Sequence, residues 1–208
     1  MTKHLLTTSL LNSFQWYLKE SFTKTEAEQR QEFLQTLRRE KTPTTPAQEE
    51  GLDFEIAVCE LANLPYSRKS IEDEGWNKIA CELAEIVEGG IWQQSVKKDL
   101  KVGNHDFLLY GRTDVIKRDT VFDIKFTSNY ELGKFQDSSQ HLIYLYCSEL
   151  PKFSYLISDG KDWWREDYFN HAGVEGEIKS KVSEFLDYLE GDKEAKELYF
   201  NNWISLTR

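Results

Sequence analysis

Asp114 in "GRTDVIK" and Asp123 in "TVFDIKFT" stand on two runs rich in Val, Ile, Phe and Thr, the composition of paired strands. Arg118-Asp119 between the runs is short enough for a two-residue hairpin, although it is not one of the favoured glycine turns. That turn sets Lys117 opposite Thr120, Ile116 opposite Val121, Val115 opposite Phe122 and Asp114 opposite Asp123. Two facing carboxylates repel, and a sheet gains nothing from them unless something positive sits between. Alternation puts Arg112, Asp114, Ile116, Val121, Asp123 and Lys125 on one face. Thr113, Val115, Phe122, Ile124 and Phe126 form the other, an ordinary apolar packing surface.

An unpaired buried carboxylate is costly, and a pair more so. Hard divalent cations take oxygen ligands, and Mg²⁺ is commonly held by a few carboxylates while keeping several waters. An ion held in this way lowers the pKa of a bound water and neutralises a phosphoryl oxygen. Lys125 could then orient that water or offset the charge developing on phosphate. A plainer arrangement also accounts for D-x-K: Lys125 pairs with one aspartate while the other points into solvent.

Two further stretches bear on the choice. In "QHLIYLY", Gln140 and Tyr144 are four apart and share a helix face, where they reach a phosphate, fix the lysine, or simply pack. Glu55 in "GLDFEIAV" lies among Phe54, Ile56, Ala57 and Val58. A glutamate in that setting needs a partner, which a salt bridge at the helix edge would also provide.

The elements that must position these groups can be read coarsely. Helical spacing runs over Ser9 to Phe22, over "TEAEQRQEFLQTLRREK", from near Gly51 through "EEGLDFEIAVCELANL", and over "SIEDEGWNKIACELAEIVEGG" with a Gly89-Gly90 stop. "TPTTPAQ" reads as a break. The middle switches to period two: "IWQQSVKKDLKV", "HDFLLYGRTDVIK" and "TVFDIKFT" read as a three-stranded meander turning at Gly103-Asn104 and Arg118-Asp119. A helix over "QDSSQHLIYLYCSEL", strands at "FSYLISDG" and "DWWREDYF", and two closing helices complete the chain. This order points to an α/β protein with a mixed sheet and helices on both sides.

The 208 residues suit one domain with a substantial core. The net charge of −10 argues against a uniformly basic nucleic-acid coat. "SVKKDLKV" together with Arg112, Lys117 and Arg118 is a candidate for a local basic track, or for scattered surface charge. No apolar run spans a bilayer and no leader opens the sequence, so a cytoplasmic protein without a membrane partner is expected. Cys59, Cys81 and Cys147 read as buried free thiols in a reducing compartment. Trp163-Trp164 either stacks on a base or packs along a hairpin edge.

The ordered set "GLDFE", "GRTDVI", "VFDIKFT" and "QHLIY" resembles the nuclease domain of the PD-(D/E)XK superfamily, within it the RecB-like and phage-type exonuclease branch. The resemblance covers roughly residues 51–160. It implies a three-layer α/β/α restriction-endonuclease-like core with a central mixed β-sheet. Around it, residues 1–208 divide into a helical N-terminal extension (1–44), a catalytic core (45–170) and C-terminal helices (171–208). By the same resemblance, Asp114 and Asp123 are the main metal ligands and Glu55 the helix acid, with Glu60 a second choice. Ile124 offers its backbone carbonyl, Lys125 is the catalytic lysine, and Gln140 and Tyr144 support it or the DNA backbone. The implied reaction is Mg²⁺- or Mn²⁺-dependent hydrolysis of DNA phosphodiesters, by an exonuclease of recombination or repair. Its partners would be DNA, and a second copy or a recombination protein. A structure-specific or restriction-like endonuclease is the rival enzyme, and a DNA-binding or assembly protein with an idle site the rival of another class. Many relatives carry a histidine in the first motif, which no residue near Glu55 supplies.

Overall fold

The computed structural model of the chain describes residues 3–19, 23–64 and 76–205. In chain order they form β1 (His4–Thr7), α1 (Thr8–Leu18), α2 (Glu26–Leu37), α3 (Pro46–Asn63), α4 (Trp76–Val87), β2 (Ile91–Trp92), β3 (Ser95–Val102), β4 (His105–Arg112), β5 (Val115–Lys117) and β6 (Thr120–Phe126). They continue as α5 (Ser139–Ser148), β7 (Lys152–Ser158), β8 (Trp163–Phe169), α6 (Val174–Gly191) and α7 (Lys193–Asn202).

Hydroxyl side chains fix several helix starts. Thr7, Thr25, Thr45 and Ser138 each accept a first-turn backbone N–H, and Thr25 with Glu28 and Thr45 with Gln48 form full capping boxes. The Thr45 box, with Pro46 in the first turn, starts α3 well before Gly51, so part of the stretch read as a break is a helix start. The end of the first expected helix and the acidic first turn expected before α4 lie outside the described residues.

The strands make two mixed sheets, ordered β1-β4-β3 and β2-β5-β6-β7-β8. β1 runs parallel to β4, and β6 parallel to β7. The expected single meander is therefore corrected. Both long runs break, at Gln93-Gln94 and at Thr113-Asp114, and pass from one sheet into the other. Gln93 takes φ +54, while the Gln93 N–H bonds the Asp114 carbonyl at 2.9 Å and the Thr113 N–H bonds the Gln94 carbonyl at 3.0 Å. Pairing thus survives the bend. The Arg118-Asp119 turn, with Arg118 at φ +54, gives the expected register as far as Val115 opposite Phe122. The ladder ends there, so Asp114 does not pair with Asp123 across it.

Helices cover the larger sheet on both faces. Phe54, Val58 and Leu61 of α3 and Leu83 and Val87 of α4 pack on Val115, Phe122, Ile124 and Leu156. On the opposite face, Val121, Phe153, Tyr155 and Ile157 join α1, α2, α5, α6, α7 and the smaller sheet in one core. Residues 3–19 belong to that core: β1 extends the smaller sheet, and Leu10, Leu11 and Phe14 of α1 are buried. None of the three cysteines is in a disulfide, and all three are partly rather than fully buried. Among the described residues no helix is long and apolar enough to cross a membrane.

Candidate active site

The bend after β4 carries Asp114 out of the ladder and turns its side chain toward β6. Its Oδ2 accepts the backbone N–H of Ile124 at 2.7 Å, so a carboxylate takes the place of a strand partner beyond the end of β5. On β6 itself, Asp123 and Lys125 are two apart and therefore on one face. Asp123 is 1% exposed; Lys125 Nζ lies 2.5 Å from its Oδ2, and the Gln140 side-chain amide donates to its Oδ1. Lys125 keeps 30% of its side chain exposed, enough to meet a ligand from solvent.

Glu55 enters from α3, half-buried, and its Oε1 accepts from Gln93 Nε2 at 2.8 Å. Glu60, the other acid considered for this helix, is exposed. Burial raises the pKa of the Glu55 carboxyl, and the Asp123 charge adds to it against the pull of Lys125. Asp114 is pushed well above the usual carboxylate range by burial first, then by Asp123 and Glu55, with Lys125 and the Ile124 N–H opposing. Asp123 is raised by burial against the pull of Lys125 and Gln140. Burial would lower Lys125, but Asp123, Asp114 and Glu55 outweigh it and the ammonium is held more firmly charged. Three carboxyls thus share the Lys125 ammonium, and the Arg112 charge acts on Glu55 as well.

The donor set suits a hard divalent ion: the carboxylates of Glu55, Asp114 and Asp123, plus the carbonyl of Ile124 between the site residues of β6. The excess of negative charge over Lys125 is what such an ion would relieve. No group of three or more His, Cys, Asp or Glu side chains among the described residues is already gathered closely enough to hold a metal. Gln93 holds Glu55 and Lys125 holds Asp123, so binding requires these contacts to rearrange.

Gln140 and Tyr144 share one face of α5 but do different things. Gln140 anchors Asp123, while the Tyr144 hydroxyl donates to the Arg112 carbonyl at 2.6 Å, two residues before Asp114. The Tyr144 ring reaches that carbonyl across Gly111, where a Cβ would stand 2.3 Å from Cε1. Only glycine fits there, which gives the first residue of "GRTD" a packing reason. Burial raises the Tyr144 phenol further above its ordinary value.

Gln93 was not legible as part of the site, whereas Arg112 was placed on its face by alternation. Gln93 holds Glu55, and Arg112 Nε donates to the Gln93 carbonyl at 3.3 Å. Of the basic track, Arg112 alone is seen at the site: Lys98 pairs with Glu149, and Lys117 donates to the Ile86 carbonyl. Trp163 and Trp164 are packing residues, Trp163 donating to Glu82 and Trp164 lying 4.7 Å from the Tyr130 ring. In front of Lys125 and Gln140 opens a cleft of about 530 Å³, walled by α1 on one side and by the segment from Lys134 to Ser138 on the other.

No family model matches the sequence, and no curated protein matches it. Solved structures do. The crystal structure of SSO0001 matches with a TM-score of 0.57 at 13% identity, over 90% of this chain and 78% of that one. LHK-Exo in complex with dAMP matches with a TM-score of 0.50 at 15% identity, over 93% of this chain and 90% of that one. At such identities the likeness speaks to fold, and the chain shares the α/β fold of these two proteins.

Proposed function

We propose that the chain is a single-domain, Mg²⁺- or Mn²⁺-dependent deoxyribonuclease of the PD-(D/E)XK type, working as an exonuclease in DNA recombination or repair. The observation that carries this reading is the convergence of Glu55, Asp114 and Asp123 on Lys125, with the lysine exposed to a cleft. Burial and mutual repulsion raise all three carboxyls beside one ammonium at a cleft, a pattern that functional sites favour. The fold shared with LHK-Exo, itself solved with a nucleotide, supports the substrate class.

Glu55, Asp114, Asp123 and the Ile124 carbonyl would hold the ion, which supplies charge neutralisation at phosphate and an acidified water. The chain's own residues do the rest. Asp114 ties the β6 backbone at Ile124, which keeps Asp123 and Lys125 at their spacing. Gln140 fixes the Asp123 carboxylate, and Gln93 fixes Glu55. Lys125, charged and partly exposed, donates to the phosphate oxygen on which negative charge develops.

The test is cleavage of linear and covalently closed duplex DNA with Mg²⁺ or Mn²⁺, and with EDTA. An exonuclease degrades the linear form only, and chelation silences it. Cutting of closed circles would favour the endonuclease, and absence of any metal-dependent cleavage would leave the fold without the chemistry.

A further inference from the structure

β8 lies at the edge of the larger sheet and buries one residue fully, and that residue is Glu166, 7% exposed. It stands opposite Tyr155 of β7, on the face of the sheet that packs into the aromatic core, where an apolar side chain is the ordinary choice. It forms no ion pair among the described residues. Three neutral donors meet it instead. The Tyr130 hydroxyl and the Gly133 N–H donate to its Oε1 at 2.6 and 2.9 Å, and the Tyr168 hydroxyl donates to its Oε2 at 2.8 Å. Burial first, and then Glu166, raises both phenols above their ordinary pKa, which keeps them donors. A buried carboxyl is tolerated only when its oxygens are satisfied in this way.

The donors lead in two directions. Tyr130 and Gly133 belong to the segment that joins β6 to α5 and begins just after Lys125-Phe126. The Tyr130 ring lies 4.7 Å from Trp164 and the Phe135 ring 4.9 Å from Tyr155, while Lys134 Nζ closes the segment on itself by donating to Thr127 Oγ1 at 2.8 Å and the Asn129 carbonyl at 2.5 Å. From Lys134 onward this segment is a wall of the cleft in front of Lys125. On the other branch, the Tyr168 ring stacks on His141, with centroids 4.0 Å apart and planes at 20°. His141 is 5% exposed and follows Gln140, whose amide holds Asp123.

We infer that Glu166 is a positioning residue for the site: one oxygen sets the cleft wall through Tyr130 and Gly133, and the other sets Gln140 through Tyr168 and His141. It acts through these groups and contacts none of Glu55, Asp114, Asp123 or Lys125. The effect on turnover rests on the nuclease reading, whereas the anchoring does not. The role calls for geometry rather than charge. In Glu166→Gln the side-chain carbonyl still accepts from Tyr130 and Gly133, and the amide donates to the Tyr168 oxygen.

The experiment has two arms, both on the full chain. In EDTA, limited trypsinolysis followed by mass spectrometry reads the rate of cleavage after Lys134. Tyr130→Phe should raise that rate roughly 5-fold, the consequence of one lost hydrogen bond, and Glu166→Ala should raise it further. Glu166→Gln should return it to the parental rate, and Tyr168→Phe should leave it there. With Mg²⁺ and linear duplex DNA, Tyr130→Phe should raise KM with kcat near parental, and Tyr168→Phe should lower kcat with KM near parental, each by roughly 5-fold. A residue that only supports the fold would lower Tm without separating the two constants. The single-hydroxyl variants keep the test open should Glu166→Ala not fold. A parental rate at Lys134 in Tyr130→Phe, a loss in Glu166→Gln as large as in Glu166→Ala, or KM and kcat that move together in both phenylalanine variants overturns the proposal. A parent that cuts no DNA counts against the nuclease reading, and the trypsin arm then decides the anchoring by itself.

Discussion

The Asp114 carboxylate accepts the Ile124 backbone N–H at 2.7 Å, so the backbone geometry between Asp123 and Lys125 depends on a side chain from the neighbouring strand. That contact needs an acceptor and not a charge. Asp114→Asn keeps the acceptor, removes one of three crowded carboxyls, and should stabilise the metal-free protein while abolishing cleavage. Each 1 kcal/mol gained corresponds to about 2–4 °C in Tm for a chain of this size. Mg²⁺ or Mn²⁺ should raise the Tm of the parent with increasing concentration and leave the variant nearly unmoved. A variant that melts below the parent in EDTA would show the charge to be supporting the fold.

The pH dependence follows from the same crowding. Glu55, Asp114 and Asp123 all have folded-state pKa values above those of ordinary carboxyls. The native state therefore holds protons that the unfolded chain has released. This contribution to stability is complete below the ordinary carboxyl range near pH 4 and is lost as pH rises through the folded values. In EDTA, the Tm of the parent relative to Asp114→Asn should fall as pH is raised from about 4 toward neutrality. Differential scanning fluorimetry on both proteins reads this directly, and a difference that stays flat or widens the other way removes the electrostatic account of the site.

Beside its proposed catalytic role, Lys125 supplies the cation that pairs with buried Asp123. Removing its ammonium leaves Asp123, 1% exposed, with the Gln140 amide but no cation. Lys125→Met should lose activity and also about 3–5 kcal/mol at pH 8, the cost of stranding a buried charge. At pH 5 the loss should be smaller, since the carboxyl can take up a proton instead. Urea unfolding at both pH values separates this from simple loss of a side chain, which would cost the same at each.

Much of this site could be read from the chain because its parts are local. The β5–β6 turn, its register and the facing of Asp123 and Lys125 follow from alternation over a short stretch. The bend at Gln93-Gln94 and Thr113-Asp114 was hidden because period two runs through it on both strands, and the deciding backbone bonds join residues distant in sequence. Thr45-Pro46 looked like a break because the same residues serve turns and helix starts. The lysines of the cleft were illegible for a different reason: Lys19, Lys134 and Lys181 come from α1's end, a loop and α6, and only the tertiary fold brings them beside Lys125. β1 is four residues long, too short for a pattern, and owes its place to pairing with β4.

Gly111 and Tyr144 form a pair whose coupling can be measured. The ring passes so close to Gly111 that a Cβ would sit 2.3 Å from Cε1, and the hydroxyl beyond it holds the Arg112 carbonyl at 2.6 Å. Gly111→Ala must push the ring aside, costing about 1–3 kcal/mol by overpacking. It should also loosen the Arg112 carbonyl and, two residues on, the position of Asp114, so cleavage should fall with stability. Tyr144→Phe removes the hydrogen bond alone, at about 1 kcal/mol, and should lower activity less. Tyr144→Ala opens the space that the methyl group introduced by Gly111→Ala needs. The double variant Gly111→Ala with Tyr144→Ala should therefore be more stable than the sum of the two losses predicts, by about 1–2 kcal/mol. Strict additivity in urea unfolding would mean that the ring does not rest on Gly111, and the bend that delivers Asp114 would then need another explanation.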